Sequence, residues 1–220
     1  MVDAPQQAVN PTPPTAPPRI VVLGIGNVLW ADEGFGVRCV EALQQRWEFA
    51  PHVDLVDGGT QGLYLIEVVQ RADHLLIFDA IDYGLPPGHL ELIEDEAVPR
   101  YLGARKMSLH QTGFQDVLCL AQLSGHYPER VLLVGCQPEV LDDYGGSLRP
   151  SVRCALEDAL ALAVARLRQW GAEPRARLQP CAADARVNAA TLALEQYEGL
   201  RPSEDAACRH GDERFLALRG

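Results

Sequence analysis

Positive charge is scarce in this chain, and long apolar runs are missing. Its 220 residues carry 19 Lys and Arg against 30 Asp and Glu, a formal net charge of -11. Nucleic acid and anionic membrane surfaces both call for a basic face, so neither is expected as a partner. No apolar stretch approaches the ~20 residues of a membrane-spanning helix. None of the six cysteines, Cys39, Cys119, Cys136, Cys154, Cys181 and Cys208, forms a C-x-x-C pair. That argues against a zinc knuckle or a thioredoxin-like motif. Several fall within predicted helices or strands, where buried free thiols are ordinary, and the reading is a reducing compartment, the cytoplasm. There is no G-x-S-x-G elbow, and no cysteine falls in the glycine-rich loops, so a serine or cysteine nucleophile is not expected. Met1 to Pro18 lacks the basic and apolar regions of a signal peptide. It carries Pro5, Pro11, Pro13, Pro14, Pro17 and Pro18, which predicts a disordered lead.

What is present is a core-forming pattern. Apolar residues make up 47% of the chain, enough for one domain with appendages. Buried strands are predicted at 19–23, 52–56, 74–78 and 130–134, with a shorter one of undetermined direction at 90–93. Helices are predicted at 34–49, 63–69, 114–123 and 150–170. In the last, Val152, Leu156, Leu160, Ala163, Leu167 and Trp170 form one stripe, and Pro150 suits the first turn. Strands alternating with helices predict a single-domain α/β fold with a mostly parallel twisted sheet and helices on both faces. Residues 1–18 are read as the lead and 19–171 as the α/β domain. Residues 172–220 have weak periodicity and are read as a loosely structured extension, with one possible helix at 187–197.

Three residues stand out for their expected placement at strand ends. Glu33 follows the run Ile20-Val21-Val22-Leu23 through Gly24-Ile25-Gly26-Asn27. Asp79 ends Leu75-Leu76-Ile77-Phe78. His110 precedes an apolar helical stretch. In open α/β sheets ligands collect at the carboxyl ends of strands. Two carboxylates and an imidazole suit a borderline divalent metal such as nickel or zinc. Taken singly, each has an ordinary structural reading, Glu33 as a favourable charge at a helix start and Asp79 as a cap. Gly24-x-Gly26 resembles the opening of a dinucleotide fingerprint, but the third glycine position is Leu29, and Asp32 and Glu33 would repel a phosphate. Asp57-Gly58-Gly59-Thr60 forms a further loop, where Asp57 could orient a neighbour, act as a base, or simply close an Asx turn.

Together, Gly24-Ile25-Gly26-Asn27, Asp32-Glu33-Gly34-x-Gly36, Asp57-Gly58-Gly59-Thr60, Asp79-Ala80 and Ser108-x-His110-Gln111 resemble, in order, the motifs of the hydrogenase maturation proteases. The resemblance covers about residues 19–170. It implies a monomeric endopeptidase that trims the C-terminus of the nickel–iron hydrogenase large-subunit precursor. It also implies that Glu33, Asp79 and His110 contact nickel, which arrives on the substrate, and that Asp57 is a further important acid. Asp57 or Asp79 would assist the attacking water. A non-enzymatic nickel chaperone or sensor using the same trio is the alternative.

Overall fold

The computed structural model describes residues 16–104, 109–179, 181–182 and 186–201, with the backbone alone at 101, 103–104 and 109–112. In chain order the elements are β1 (Ile20–Ile25), α1 (Phe35–Arg46), β2 (Trp47–Glu48), β3 (Val53–Gly59), α2 (Ile66–Gln70), β4 (His74–Ala80) and β5 (Leu90–Glu94). They continue with α3 (Ala97–Ala104), α4 (Leu109–Leu123), β6 (Arg130–Cys136), α5 (Pro150–Gln169), β7 (Arg175–Ala176) and α6 (Leu194–Gly199). Five strands form the main sheet in the order β3-β1-β4-β6-β5. All its pairings are parallel except β5 with β6, which is antiparallel. The α/β class and the mostly parallel sheet expected from the sequence are therefore present.

The sheet alternation decides the two cores. Ile20, Val22, Leu76, Phe78, Leu132 and Val134 point to the face covered by α1 and α5. Val21, Leu23, Leu75, Ile77, Val131 and Leu133 point to the face covered by α2, α3 and α4. A strand buried on both faces needs apolar residues at every position, which is why these runs read as continuous rather than alternating. Each fully buried aliphatic side chain contributes about 2 kcal/mol. Among the described residues, no helix is long and apolar enough to cross a membrane.

Several boundaries differ from expectation, among them the start of α4, at Leu109 rather than Phe114. The first helix ends at Arg46 rather than Phe49, because Trp47 turns to an extended backbone (φ -130°, ψ 152°) and pairs with Ala176 of β7. Helical propensity yields there to a tertiary strand pairing. Residues 187–197 do not form one helix. They run through a 3₁₀ turn at Ala190–Leu192 into α6.

The connections reverse direction beside β1. From β1 the chain crosses by α1 to β3 on one side, while β4, on the other side of β1, leads on towards β6. The gap between the carboxyl ends of β1 and β4 is thus the topological switch point, the usual ligand crevice of open α/β sheets. Helix α1 starts directly over it. A Cβ at Gly36 would lie 2.2 Å from the Phe78 carbonyl oxygen and 2.3 Å from that of Ile25. A Cβ at Gly24 would lie 2.3 Å from the Gly36 carbonyl oxygen. Only glycine lets the helix backbone sit this close to two strands.

Gly36→Ala is expected to cost about 3 kcal/mol or more, as backbone has to move to admit the methyl group. Gly199, with nothing within 4 Å of its would-be Cβ, is the control. Gly199→Ala is expected to stay within about 0.5 kcal/mol of the parent. Urea midpoints read both, and equal midpoints would refute the close approach.

Candidate active site

The residues singled out by sequence gather at the carboxyl end of the sheet, by different routes. Asp79 is the penultimate residue of β4, 1% exposed, and pairs across the sheet with Gly135 of β6. Asp57 lies near the end of β3 and pairs with Gly24 of β1, which in turn pairs with Phe78, the residue before Asp79. Asp57 and Asp79 therefore flank β1, two strand spacings apart, or about 10 Å. Glu33, half-buried, lies in the 3₁₀ turn Ala31–Gly34 between β1 and α1. Its carbonyl oxygen would be 1.8 Å from a Cβ on Gly26, whose φ is +129°. Gly26 donates its N–H to the Gly59 carbonyl at 3.0 Å, which ties the Glu33 turn to the loop that follows Asp57.

His110 is placed differently from expectation. It is not at a strand end but is the second residue of α4, since α3 intervenes after β5. Pro99 sits in the first turn of α3, where a missing N–H costs no helix bond, so proline did not prevent that helix. A Cβ at Gly113 would lie 3.5 Å from Gly62 Cα, so the N-terminal part of α4 adjoins the loop after β3. The His110 side chain, like all of Ser108, lies outside the described residues. Among the described residues no three metal-ligating side chains form a cluster. Two carboxylates remain as the described oxygen donors, chemistry that suits a divalent ion with positions left open to other ligands.

Asp57 closes the Asx turn: its Oδ1 accepts the Gly59 N–H at 2.9 Å. Burial pushes its carboxyl pKa above the ordinary value, partly offset by that N–H and by the Arg38 guanidinium. Arg38 is itself buried against Glu41, with Nη1 to Oε2 at 2.7 Å.

Three site features escaped the sequence reading. Asp32, fully buried, accepts the backbone N–H groups of Glu139 and Val140 at 2.9 Å and of Arg149 at 2.7 Å. It thereby holds both ends of the β6–α5 connection. Gln137 accepts from the Tyr83 N–H at 2.7 Å and the Leu85 N–H at 3.1 Å, and donates to Asp82 at 3.0 Å. It fastens the segment after β4 to the segment after β6. Tyr83 fills the space beside Gly135, where a Cβ would meet its Oη at 1.8 Å. The available signal was length: the connection from Gln137 to Arg149 exceeds the roughly 2–6 residues of ordinary βα loops. At the end of β6, burial and the nearby Asp32 carboxylate push the Cys136 thiol up to about 12.

Comparison with known proteins gives a consistent set of likenesses. The family profile described as "Hydrogenase maturation protease" matches residues 37–166. The hydrogenase expression/formation protein HoxM of Cupriavidus necator is 66% identical over 197 residues, covering 90% of this chain and 98% of that protein. The hydrogenase 2 maturation protease of Escherichia coli is 44% identical over 156 residues, covering 70% of this chain and 94% of that one. The shorter relative thus has few residues outside the match. Among solved structures, the hydrogenase maturating endopeptidase HybD from E. coli superposes with a TM-score of 0.69 at 42% identity, covering 72% of this chain and 98% of its own.

The raised pKa of Asp57 makes a prediction with a definite sign. A carboxyl whose folded pKa is raised contributes stability that is present below its unfolded pKa, near about 4, and lost as pH rises through the folded value. Asp57→Asn keeps the acceptor for Gly59 and removes the buried charge. The variant is expected to be at least as stable as the parent at pH 7, with the advantage shrinking on acidification to about pH 4. Urea midpoints at the two pH values check this; an Asn variant losing stability only at pH 7 would reverse the sign.

Proposed function

This chain belongs to the hydrogenase maturation protease family and is an endopeptidase of hydrogenase maturation, and we propose that it removes a short C-terminal peptide from the nickel-loaded large-subunit precursor of a nickel–iron hydrogenase. The observation that carries the reading is Asp79, 1% exposed at the switch point, with the Glu33 turn drawn over the same crevice by Gly26 and Gly36. A carboxylate at that position is a hard oxygen donor set where ligands of open α/β sheets collect, which supports a role in gripping a substrate-borne cation.

In this reading Glu33, Asp79 and His110 grip the nickel that the precursor brings, and their donors leave positions for the precursor's own ligands. The grip registers the scissile bond against the carboxyl ends of the strands by proximity. Asp57 or Asp79 takes the proton of the attacking water. The burial of Asp57 supports its part, since a raised pKa brings a carboxylate closer to the strength useful for a general base.

The test is incubation with nickel-loaded and nickel-free precursor, read by intact mass. Loss of a C-terminal peptide from the loaded form alone is expected. Asp79→Asn and His110→Ala are each expected to slow that loss about 100-fold or more, the scale of removing a positioned group, with native-like circular dichroism. Extensively dialysed protein is expected to hold nickel substoichiometrically. Equal cleavage of both precursors by enzyme carrying stoichiometric metal would falsify the substrate-borne-nickel reading.

A further inference from the structure

The C-terminal segment at 187–199 is tied firmly to the domain, contrary to the loose attachment expected for 172–220; residues 202–220 lie outside the described residues. The Val187 N–H is donated to Gln44 Oε1 at 2.8 Å and the Leu194 N–H to Glu41 Oε1 at 2.9 Å. The Leu192 carbonyl accepts from Arg38 at 2.5 Å, and the Arg38 guanidinium lies 5.4 Å from the centroid of the Tyr197 ring. These contacts close over a buried ion pair, where losing one partner is costly.

From α1 the segment continues to the loop that follows β6. Tyr197 Oη donates to the Gly146 carbonyl at 3.3 Å. Glu198 accepts from Ser147 Oγ at 2.5 Å and pairs with Arg153. That loop carries Tyr144, 60% exposed, packed edge-on against Trp30 with ring centroids 5.3 Å apart. The Gly145 N–H is donated to the Leu29 carbonyl at 2.7 Å, which seats the aromatic pair on the same loop that holds Glu33. The segment is therefore a strap running from beneath α1 to an aromatic pair, exposed at Tyr144 and half-buried at Trp30, at the rim of the crevice.

The E. coli relative reaches the same fold with a shorter chain. Fixing an exposed tyrosine against a half-buried tryptophan beside a crevice suits a recognition contact, as such residues supply large rigid contact area at little entropic cost. Resting on the reading above, we infer that the Trp30–Tyr144 pair, held in place by the strap, is a specificity-determining contact for the precursor polypeptide, engaging it outside the nickel-bearing segment. Tyr144 makes the contact. Tyr197 and Glu198 act through the loop as positioning residues.

Two variants of the full chain test this, Tyr144→Ala and Glu198→Ala. Both are measured for kcat and KM on nickel-loaded precursor, for Kd on immobilised nickel-free precursor, and for thermal unfolding. Each variant is expected to raise KM and Kd about tenfold, with kcat within about twofold of the parent. A purely structural role would lower the unfolding temperature without this split. Parental KM and Kd in folded variants, or a loss in only one of the two, would overturn the inference. A parent protein that binds the precursor without cutting it, with binding weakened by both variants, would sink the protease reading for that precursor and uphold the contact. A parent that does not bind precursor at all overturns the contact.

Discussion

The first turn of α1 rests on the ends of β1 and β4 with no side chain between them. Gly36 approaches the carbonyls of Ile25 and Phe78, and Gly24 approaches the carbonyl of Gly36. The position of the helix then follows from backbone contact rather than from side-chain packing, which leaves little freedom of height or register. Glu33 lies two residues before this helix, and Asp79 immediately follows Phe78. Two carboxylates from distant parts of the chain are thereby located by one backbone contact. Larger residues at either glycine would lift the helix and separate them.

Asp32 complements this from the opposite side of the same turn. Adjacent residues of the turn divide their tasks, with Asp32 buried inward and Glu33 half-buried at the crevice. A carboxylate that accepts three N–H groups is well compensated for its burial. It gives the long β6–α5 connection a defined start and finish. Tyr144 can then be presented to solvent from a loop that is anchored at both ends and strapped in the middle by α6.

The sequence made the sheet legible because β1, β4 and β6 are buried on both faces and so consist of unbroken apolar runs. The longest helix was equally plain: every member of its stripe from Val152 to Trp170 is buried. Glu33, Asp57 and Asp79 were legible because strand ends are visible as the termination of such runs. His110 was misplaced, as Pro99 and Gly103 obscure α3 and the start of α4 was read at Phe114 rather than Leu109. The strap was not legible at all. Its attachments are contacts between single residues, hydrogen bonds with Gln44, Glu41 and Ser147, an ion pair with Arg153 and the Arg38–Tyr197 contact, and such contacts leave no periodic trace. The function of Asp32 was hidden for the same reason, since its partners are backbone groups more than a hundred positions away.

Cys136 lies at the end of β6, beside Ala80 and one residue beyond the pairing partner of Asp79. Sulfur at this position would be a strong competitor for a soft cation if it were ionised. Burial and the Asp32 charge keep it protonated throughout the physiological range. Cys39, deeper on the same face of the sheet, is held protonated by burial as well. The sulfur beside the carboxyl ends of the strands is therefore held as thiol rather than thiolate, in contrast to the carboxylate groups that line the crevice.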